Sequence, residues 1–296
     1  MAHIETPRPN PQKTNILIQK LSRAPWWVLM ILMLVFAFVQ HVQDSRTYNQ
    51  AWDEVQKGLG ITVQVTIIAY SIALVLGLIL ALLRRPSKSI FYNLFVYQPT
   101  TVIVEVFRGI PTLVLVLAMS LAIIPEGIKL VNELGRWLIA QGILLNGLSE
   151  GMVTLIPRDF PTIHRAIIAL AISYAAFLSE VFRAGLDSIE VGQHEAAQSL
   201  GMSRWQTLRF IILPQAIRNI LPALGNDFIA MLKESSLVSV VGVMDITRAG
   251  QSFAAATFTF MPSYNVVAVT YLVMTLFLSI VVKLIETFLG RGHRNH

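Results

Sequence analysis

The chain reads as long apolar runs separated by short polar breaks. Apolar runs cover residues 25–42, 61–83, 95–124, 163–182, 221–243 and 264–284. Each approaches or exceeds the roughly twenty residues that a helix needs to cross a bilayer. The pattern predicts an all-α polytopic membrane bundle of about six transmembrane helices. The third run is long and interrupted by Arg108-Gly109-Ile110-Pro111. Between the third and fourth runs, Leu134–Leu148 is apolar enough for a helix lying at the interface, but too short and glycine-containing to span. The first run is longer than a signal-peptide core, and no small-x-small cleavage site follows Gln40-His41-Val42. It is expected to be a retained span, with Trp26 and Trp27 as an interfacial aromatic anchor.

One polar break differs from the rest. Glu190 to Pro222 is an insert of helix-forming residues between two apolar runs, reading EVGQHEAAQSLGMSRWQTLRFIILPQAIRNILP. Good helix formers from Glu195 to Leu200 end at Gly201, a residue suited to a left-handed helix stop. Ser203 followed three residues later by Gln206 is a capping box for a second helix. Pro214 and Pro222 then punctuate the return to the membrane. The expectation is two short amphipathic helices with a break between them.

Composition agrees with membrane residence: of 296 residues, 54% are hydrophobic and 14% charged, against about 25% charged in an average soluble domain. The net charge of +6 is better explained by inward-facing loops and ends than by nucleic acid. Placing both termini, residues 84–88 and residues 183–219 inside gives a Lys/Arg bias of about two to one in favour of that orientation. With no cysteine, disulfides, thiolate metal sites and cysteine nucleophiles are excluded. The six histidines have no metal-ligand spacing, and no G-x4-G-K-[ST] phosphate loop occurs, so the chain does not hydrolyse ATP by that chemistry. No metal site and no catalytic residue is expected.

The insert resembles the cytoplasmic EAA loop of ABC importer permeases, matching E-A-A-x3-G-x9-I-x-L-P at every named position. Other segments resemble the polar amino-acid branch: Val106-Phe107-Arg108-Gly109-Ile110-Pro111, Glu180-Val181-Phe182-Arg183-Ala184-Gly185, Leu213-Pro214-Gln215-Ala216 and Lys233-Glu234-Ser235-Ser236-Leu237. The resemblance runs from about residue 60 to 286. It implies a five-helix type I importer core at 60–286 with a coupling loop at 190–214, preceded by a basic tail (1–24) and an extra helix with its external loop (25–59), and followed by a basic tail (287–296). It implies that Glu195, Ala196, Ala197, Gly201, Leu213 and Pro214 couple the membrane domain to a separate ATP-hydrolysing subunit, which carries the ATP and Mg2+. The remaining partners are a second permease subunit, identical or a sister, and an extracytoplasmic solute-binding protein. The setting is the bacterial inner membrane, with both termini cytoplasmic. Phe177 stands where the family often has tyrosine.

Charges inside apolar runs, here Glu105, Arg108, Glu180, Arg183, Asp227, Lys233 and Glu234, are costly and usually line water or pair. Glu105 and Arg108 share a helix face and can neutralise each other. Arg108 and Arg183 lie towards span ends. Glu180 either faces the pathway or pairs with an arginine. Lys233 and Glu234 fall mid-run beside Ser235 and Ser236, a set of opposite charges and hydroxyls suited to an amino acid. The candidate pathway is therefore Phe177, Glu180, Lys233, Glu234, Ser235 and Ser236. The rival readings are a secondary transporter driven by an ion gradient and a non-transporting scaffold or sensor subunit. The first leaves the EAA-like insert unexplained and predicts internal repeats, which the sequence does not show.

Overall fold

The computed structural model describes residues 26–141, 153 and 160–290. Residues 1–49 and 50–296 form two separate compact units. The first contains helix α1 (Trp26–Asp44), followed by α2 (Arg46–Val55), which begins there and ends in the second unit.

Every regular element among the described residues of the second unit is a helix. Its elements are α3 (Leu59–Leu83), α4 (Ile90–Gly109), α5 (Thr112–Ala140), α6 (Thr162–Asp187), α7 (Val191–Ser199), α8 (Arg204–Thr207), α9 (Leu213–Glu234), α10 (Ile246–Thr257) and α11 (Phe260–Gly290). Among the described residues, five helices are long and apolar enough to cross a membrane: Arg46–Leu83, Ile90–Gly109, Thr112–Ala140, Thr162–Asp187 and Phe260–Phe288; a shorter apolar stretch, Val28–Asp44, accompanies them.

The spine is α3 against α6. The two run parallel, because Arg84 after α3 meets Glu180, and Arg85 meets Asp187 at the end of α6. Lipid supplies no hydrophobic drive between helices, so close approach must come from small side chains. Ala69, Ala73, Gly77 and Ala81 recur every fourth residue down the buried face of α3. A methyl on Gly77 would come within 2.9 Å of Leu178 Cβ and 3.1 Å of the Ala175 carbonyl. The facing α6 is equally alanine-rich, and Ala166, Ala169, Leu170, Tyr174, Ala175 and Leu178 complete the core.

At the start of α3, Thr62 Oγ1 accepts from the Ile246 amide (3.2 Å). Buried Asp245 accepts from the Arg248 amide (2.8 Å), capping α10, and from the Tyr271 hydroxyl (3.1 Å) on α11. This node ties three elements at the end of the bundle about 33 Å along α3 from Arg84, 22 residues of helical rise.

Three sequence expectations change. The third apolar run becomes two helices, because Ile110 is extended and Pro111 caps α5 from outside. Helix α5 continues to Ala140, so the helix expected at 134–148 starts inside it; residues 142–148 lie outside the described part. Pro214 and Pro222, expected to punctuate the return to the membrane, both lie within α9. Pro99, Pro125 and Pro214 each follow by two residues a five-residue π turn: Asn93–Tyr97, Met119–Ile123 and Leu208–Ile212. A mid-helix proline leaves the carbonyl four residues back without a donor and its ring strikes that carbonyl. The wider π turn shifts the register there, and the helix carries on. Thus α8 runs through Leu208–Ile212 straight into α9, and the second helix of the insert is the lower part of a membrane helix rather than a separate short one.

The fifth apolar run also differs. Its α-helix starts at Leu213 and stops at Glu234, giving way to a 3-10 stretch, Ser235–Val241, closed by Gly242 with φ +87°. Because α9 is antiparallel to α6, with Asn219 bonded to Ser188 and Glu234 beside Tyr174, its end falls at the middle of α6. A helix interrupted at that depth is tolerated where it lines a cavity or is buried in protein.

Candidate functional site

Three groups of residues mark one path through the second unit, starting at the insert. After α6 ends at Asp187, three residues lead into α7. Its C-terminus is a Schellman closure: the Gly201 amide donates to Gln198 O (2.9 Å) and the Met202 amide to Ala197 O (3.1 Å), with Gly201 at φ +75°. The chain then re-enters helix through the capping box. The Ser203 amide donates to Gln206 Oε1 (2.8 Å) and the Gln206 amide to Ser203 Oγ (3.3 Å). The insert is moored to the bundle by Asn219 Nδ2 donating to Ser188 Oγ (2.9 Å) and Gln215 Nε2 donating to Gln193 Oε1 (3.2 Å). Behind it, Ile189, Ile212, Ala216 and Ile220 form a small apolar core.

The expected coupling residues divide by position. Glu195, Ala196 and Gly201 are exposed, as are Leu213 and Pro214, whereas Ala197 faces inward at 3% exposure. Sequence reasoning passed over two others. Leu200 (81% exposed) and Trp205 (66%) stand out on either side of Gly201. Large apolar side chains that clear of their own fold, on a polar insert, are the composition of an interface anchor. The signal in the sequence was an isolated tryptophan and leucine within a polar stretch.

Directly above the root of α7 lies an ion cluster joining α3, α4 and α6. Arg84, whose side chain is 8% exposed, donates through Nη1 to Glu180 Oε1 (2.5 Å) and through Nη2 to Glu105 Oε1 (3.2 Å). Arg183 donates from Nε (3.1 Å) and Nη2 (2.6 Å) to Glu180 Oε2. Arg108 Nη1 is 3.6 Å from both Glu105 Oε1 and Glu180 Oε1. Glu180 thus has arginine donors on both carboxylate oxygens. Arg84, which the sequence offered as part of a basic plug, is the buried centre.

The third group lies at mid-depth. Tyr70 of α3 donates to Leu224 O (2.6 Å) and its ring lies 5.0 Å from that of Phe228. Tyr174 of α6 sits against the Glu234 carboxylate, and Asp227 is within electrostatic reach of both tyrosines. Asp227 and Glu234 are two helical turns apart on one face of α9. Glu234 Oε2 and Ser173 Oγ are buried with no hydrogen-bond partner. Of the other expected pathway residues, Phe177 stacks near Tyr174 (6.3 Å between rings), Lys233 is exposed, Ser236 is half-buried, and buried Ser235 donates to Leu232 O (2.7 Å). The structure brings Glu234 and Phe177 together around Tyr174; Glu180 belongs to the ion cluster. Asp227 was among the charges noted inside apolar runs, but Tyr70 and Tyr174 were not singled out from sequence, since tyrosines in separate apolar runs carry no spacing signal. Among the described residues, no group of three or more His, Asp or Glu is placed to hold a metal.

Residues 73–295 match the family model of the inner-membrane component of binding-protein-dependent transport systems. The chain belongs to this family. The permease is 34% identical over 244 residues to the probable amino-acid permease protein YxeN of Bacillus subtilis, covering 80% of this chain and 92% of that one. It is 41% identical over 121 residues to the glutamine transport system permease protein GlnP of Escherichia coli, a match spanning 41% of this chain and 55% of GlnP. Among solved structures it is similar to a chain of an amino acid ABC transporter crystallised with histidines, with TM-score 0.61, 34% identity and coverage of 79% and 94%. A methionine transporter, MetNI, in an inward-facing form shares the fold at TM-score 0.57 and 21% identity. The protein is an ABC importer permease, a multi-pass membrane subunit.

Proposed function

We propose that this permease carries an amino acid, and that the helix–Gly–helix insert at 190–214 receives the motion of a separate ATPase subunit on the cytoplasmic side. The observation supporting the coupling role is the closed geometry of the insert: a Schellman end and a capping box back to back, moored to α9 and bearing exposed Leu200 and Trp205. A short helix held this rigidly transmits a rigid-body displacement instead of absorbing it. ATP and Mg2+ belong to the partner. The basic ends and loops put both termini inside, and a second permease copy or sister encloses the pathway, fed by an extracytoplasmic solute receptor.

The amino-acid cargo is supported by the names of the relatives and by the mid-depth group. Asp227 and Glu234, with the orphaned Glu234 Oε2 and Ser173 Oγ, offer acceptors at the level where α9 breaks. An α-ammonium brings three donors to such a site, and Tyr70 and Tyr174 flank it. Phe177, Lys233, Ser235 and Ser236 form the adjoining stretch of the pathway.

The test is reconstitution in vesicles with the ATPase and the receptor. ATP-dependent amino-acid uptake that survives a gradient uncoupler supports the reading. Uptake abolished by the uncoupler but indifferent to an inactive ATPase would mean a secondary transporter. ATPase stimulation by loaded receptor without entry of substrate would mean a scaffold or sensor.

A further inference from the structure

We propose that Arg84 is a positioning residue through which movement of the coupling insert reaches α4. The inference rests on the import reading and on two independent features.

The first feature is how weakly α4 is otherwise held. Within Gln98–Gly109 only Thr100 and Val104 are buried, while α3 and α6 bury a continuous face against each other. Between α4 and that pair runs an apolar gap of about 200 Å³, bordered by Leu76, Leu80, Ile103, Phe107, Ile172 and Ala176. Helices in contact across such a gap lack the interlocked side chains that would drag one along with the other. Helix α4 can therefore pivot against the spine.

The second feature is the ion cluster at the lower edge of that gap. Arg84 is the one side chain in it that donates to both α4, at Glu105, and α6, at Glu180. Glu180 is two turns above Asp187, and after three intervening residues the coupling helix begins at Val191. When the ATPase displaces α7, the end of α6 and Glu180 move with it. Arg84, buried at the C-terminus of α3 and bonded to Glu180, draws Glu105 and hence α4 in the same direction. Arg108, 3.6 Å from both carboxylates, is too distant for good hydrogen bonds and offers a second arrangement of the same charges. Packed elements with two discrete arrangements transmit motion without deforming.

The experiment measures amino acid imported per ATP hydrolysed, in vesicles holding the permease, its ATPase and the loaded receptor. Arg84→Gln should lower that ratio by about fivefold or more, the scale of a typical coupling energy, with receptor-stimulated ATPase nearly unchanged. Arg84→Lys, which keeps the charge but not the fork, should fall between. The chain has no cysteine, so Phe107→Cys gives a single label at the gap. Its alkylation rate should depend on nucleotide in the Phe107→Cys protein and lose that dependence when Arg84→Gln is added. If Arg84→Gln fails to assemble, Glu105→Gln, on an exposed partner, carries the same comparison. An unchanged ratio, or import and ATPase falling in parallel with thermal stability, would overturn the assignment and leave the cluster a structural clamp. Absence of ATP-driven uptake by the wild-type protein would strike the import reading itself, so the two failures are told apart.

Discussion

Replacing Gly201 separates backbone geometry from side-chain bulk. At φ +75°, with nothing within 4 Å of where a Cβ would sit, a substitution meets no steric obstacle within the chain. Its cost is conformational: a left-handed residue other than glycine or asparagine loses about 1 kcal/mol, and a β-branched one about 2. Neither unfolds a helical bundle. Both lower the population of the closed Schellman turn, by about fivefold for Gly201→Ala and about thirtyfold for Gly201→Val. Gly201→Asn, whose side chain is larger than alanine's, should be nearly neutral because asparagine tolerates the left-handed region. The assay is affinity of the solubilised permease for its ATPase, together with import in vesicles, both at matched expression. The expected order is Gly, Asn, Ala, Val. An order following side-chain size, with asparagine worse than alanine, would show that the docked surface rejects volume at this point and that the backbone argument is wrong. Wild-type behaviour throughout would remove the insert from the coupling path.

Other consequences are equally direct. Trp205→Ala should weaken ATPase binding by about 2 kcal/mol, roughly thirtyfold, as for an exposed aromatic anchor, while leaving the melting temperature of the isolated permease unchanged. Gly77→Val forces a branched side chain onto Leu178 and the Ala175 carbonyl and should cost about 1–3 kcal/mol of stability, read as a lower melting point in detergent. Asp245→Ala removes the cap of α10 and leaves the buried side of Tyr271 one partner short, a loss of about 2 kcal/mol. Asp245→Asn, whose single oxygen keeps the cap to the Arg248 amide while its Nδ2 donates to the Tyr271 hydroxyl, should recover most of it.

Legibility followed the range of the interactions. The insert could be read almost residue by residue, because a helix stop at Gly201 and a reciprocal Ser203–Gln206 cap depend on neighbours within a few positions. The apolar runs located the membrane helices for the same reason. What failed was long-range. Glu180 was open to two readings because a carboxylate's partner in a bundle is set by which helix end lies beside it, and Arg84 is 96 positions away. Likewise Tyr70 and Tyr174 became visible as a pair only once α3 lay close against α6, and that closeness depends on the Ala69–Ala73–Gly77–Ala81 stripe, a pattern easily mistaken for ordinary lipid-facing composition.

The prolines are a separate case, since their error was local and has a local remedy. Pro214 was expected to punctuate the return to the membrane, yet there, as at Pro99 and Pro125, the five residues ending two positions before the proline form a π turn. Those turns, Asn93–Tyr97, Met119–Ile123 and Leu208–Ile212, are apolar in most of their positions. In lipid an unpaired carbonyl is far more costly than in water, so a helix that loses a donor there has more to gain by re-registering than by ending. Pro111 lacks that option. It follows Arg108-Gly109, where the helix already fails, so extended Ile110 leads out of one helix and into the next. The distinction carries a consequence for coupling. Because α8 passes through its π turn into α9 without a joint, the proposed coupling role has displacement of the insert delivered directly to Asp227 and Glu234 at mid-depth. Shifting the register, by inserting one alanine after Pro214, should preserve the helix but rotate the rest of α9 by about 100° relative to α8. Import should then be lost with helicity by circular dichroism intact; retained import would show that the register through this turn is immaterial to the path.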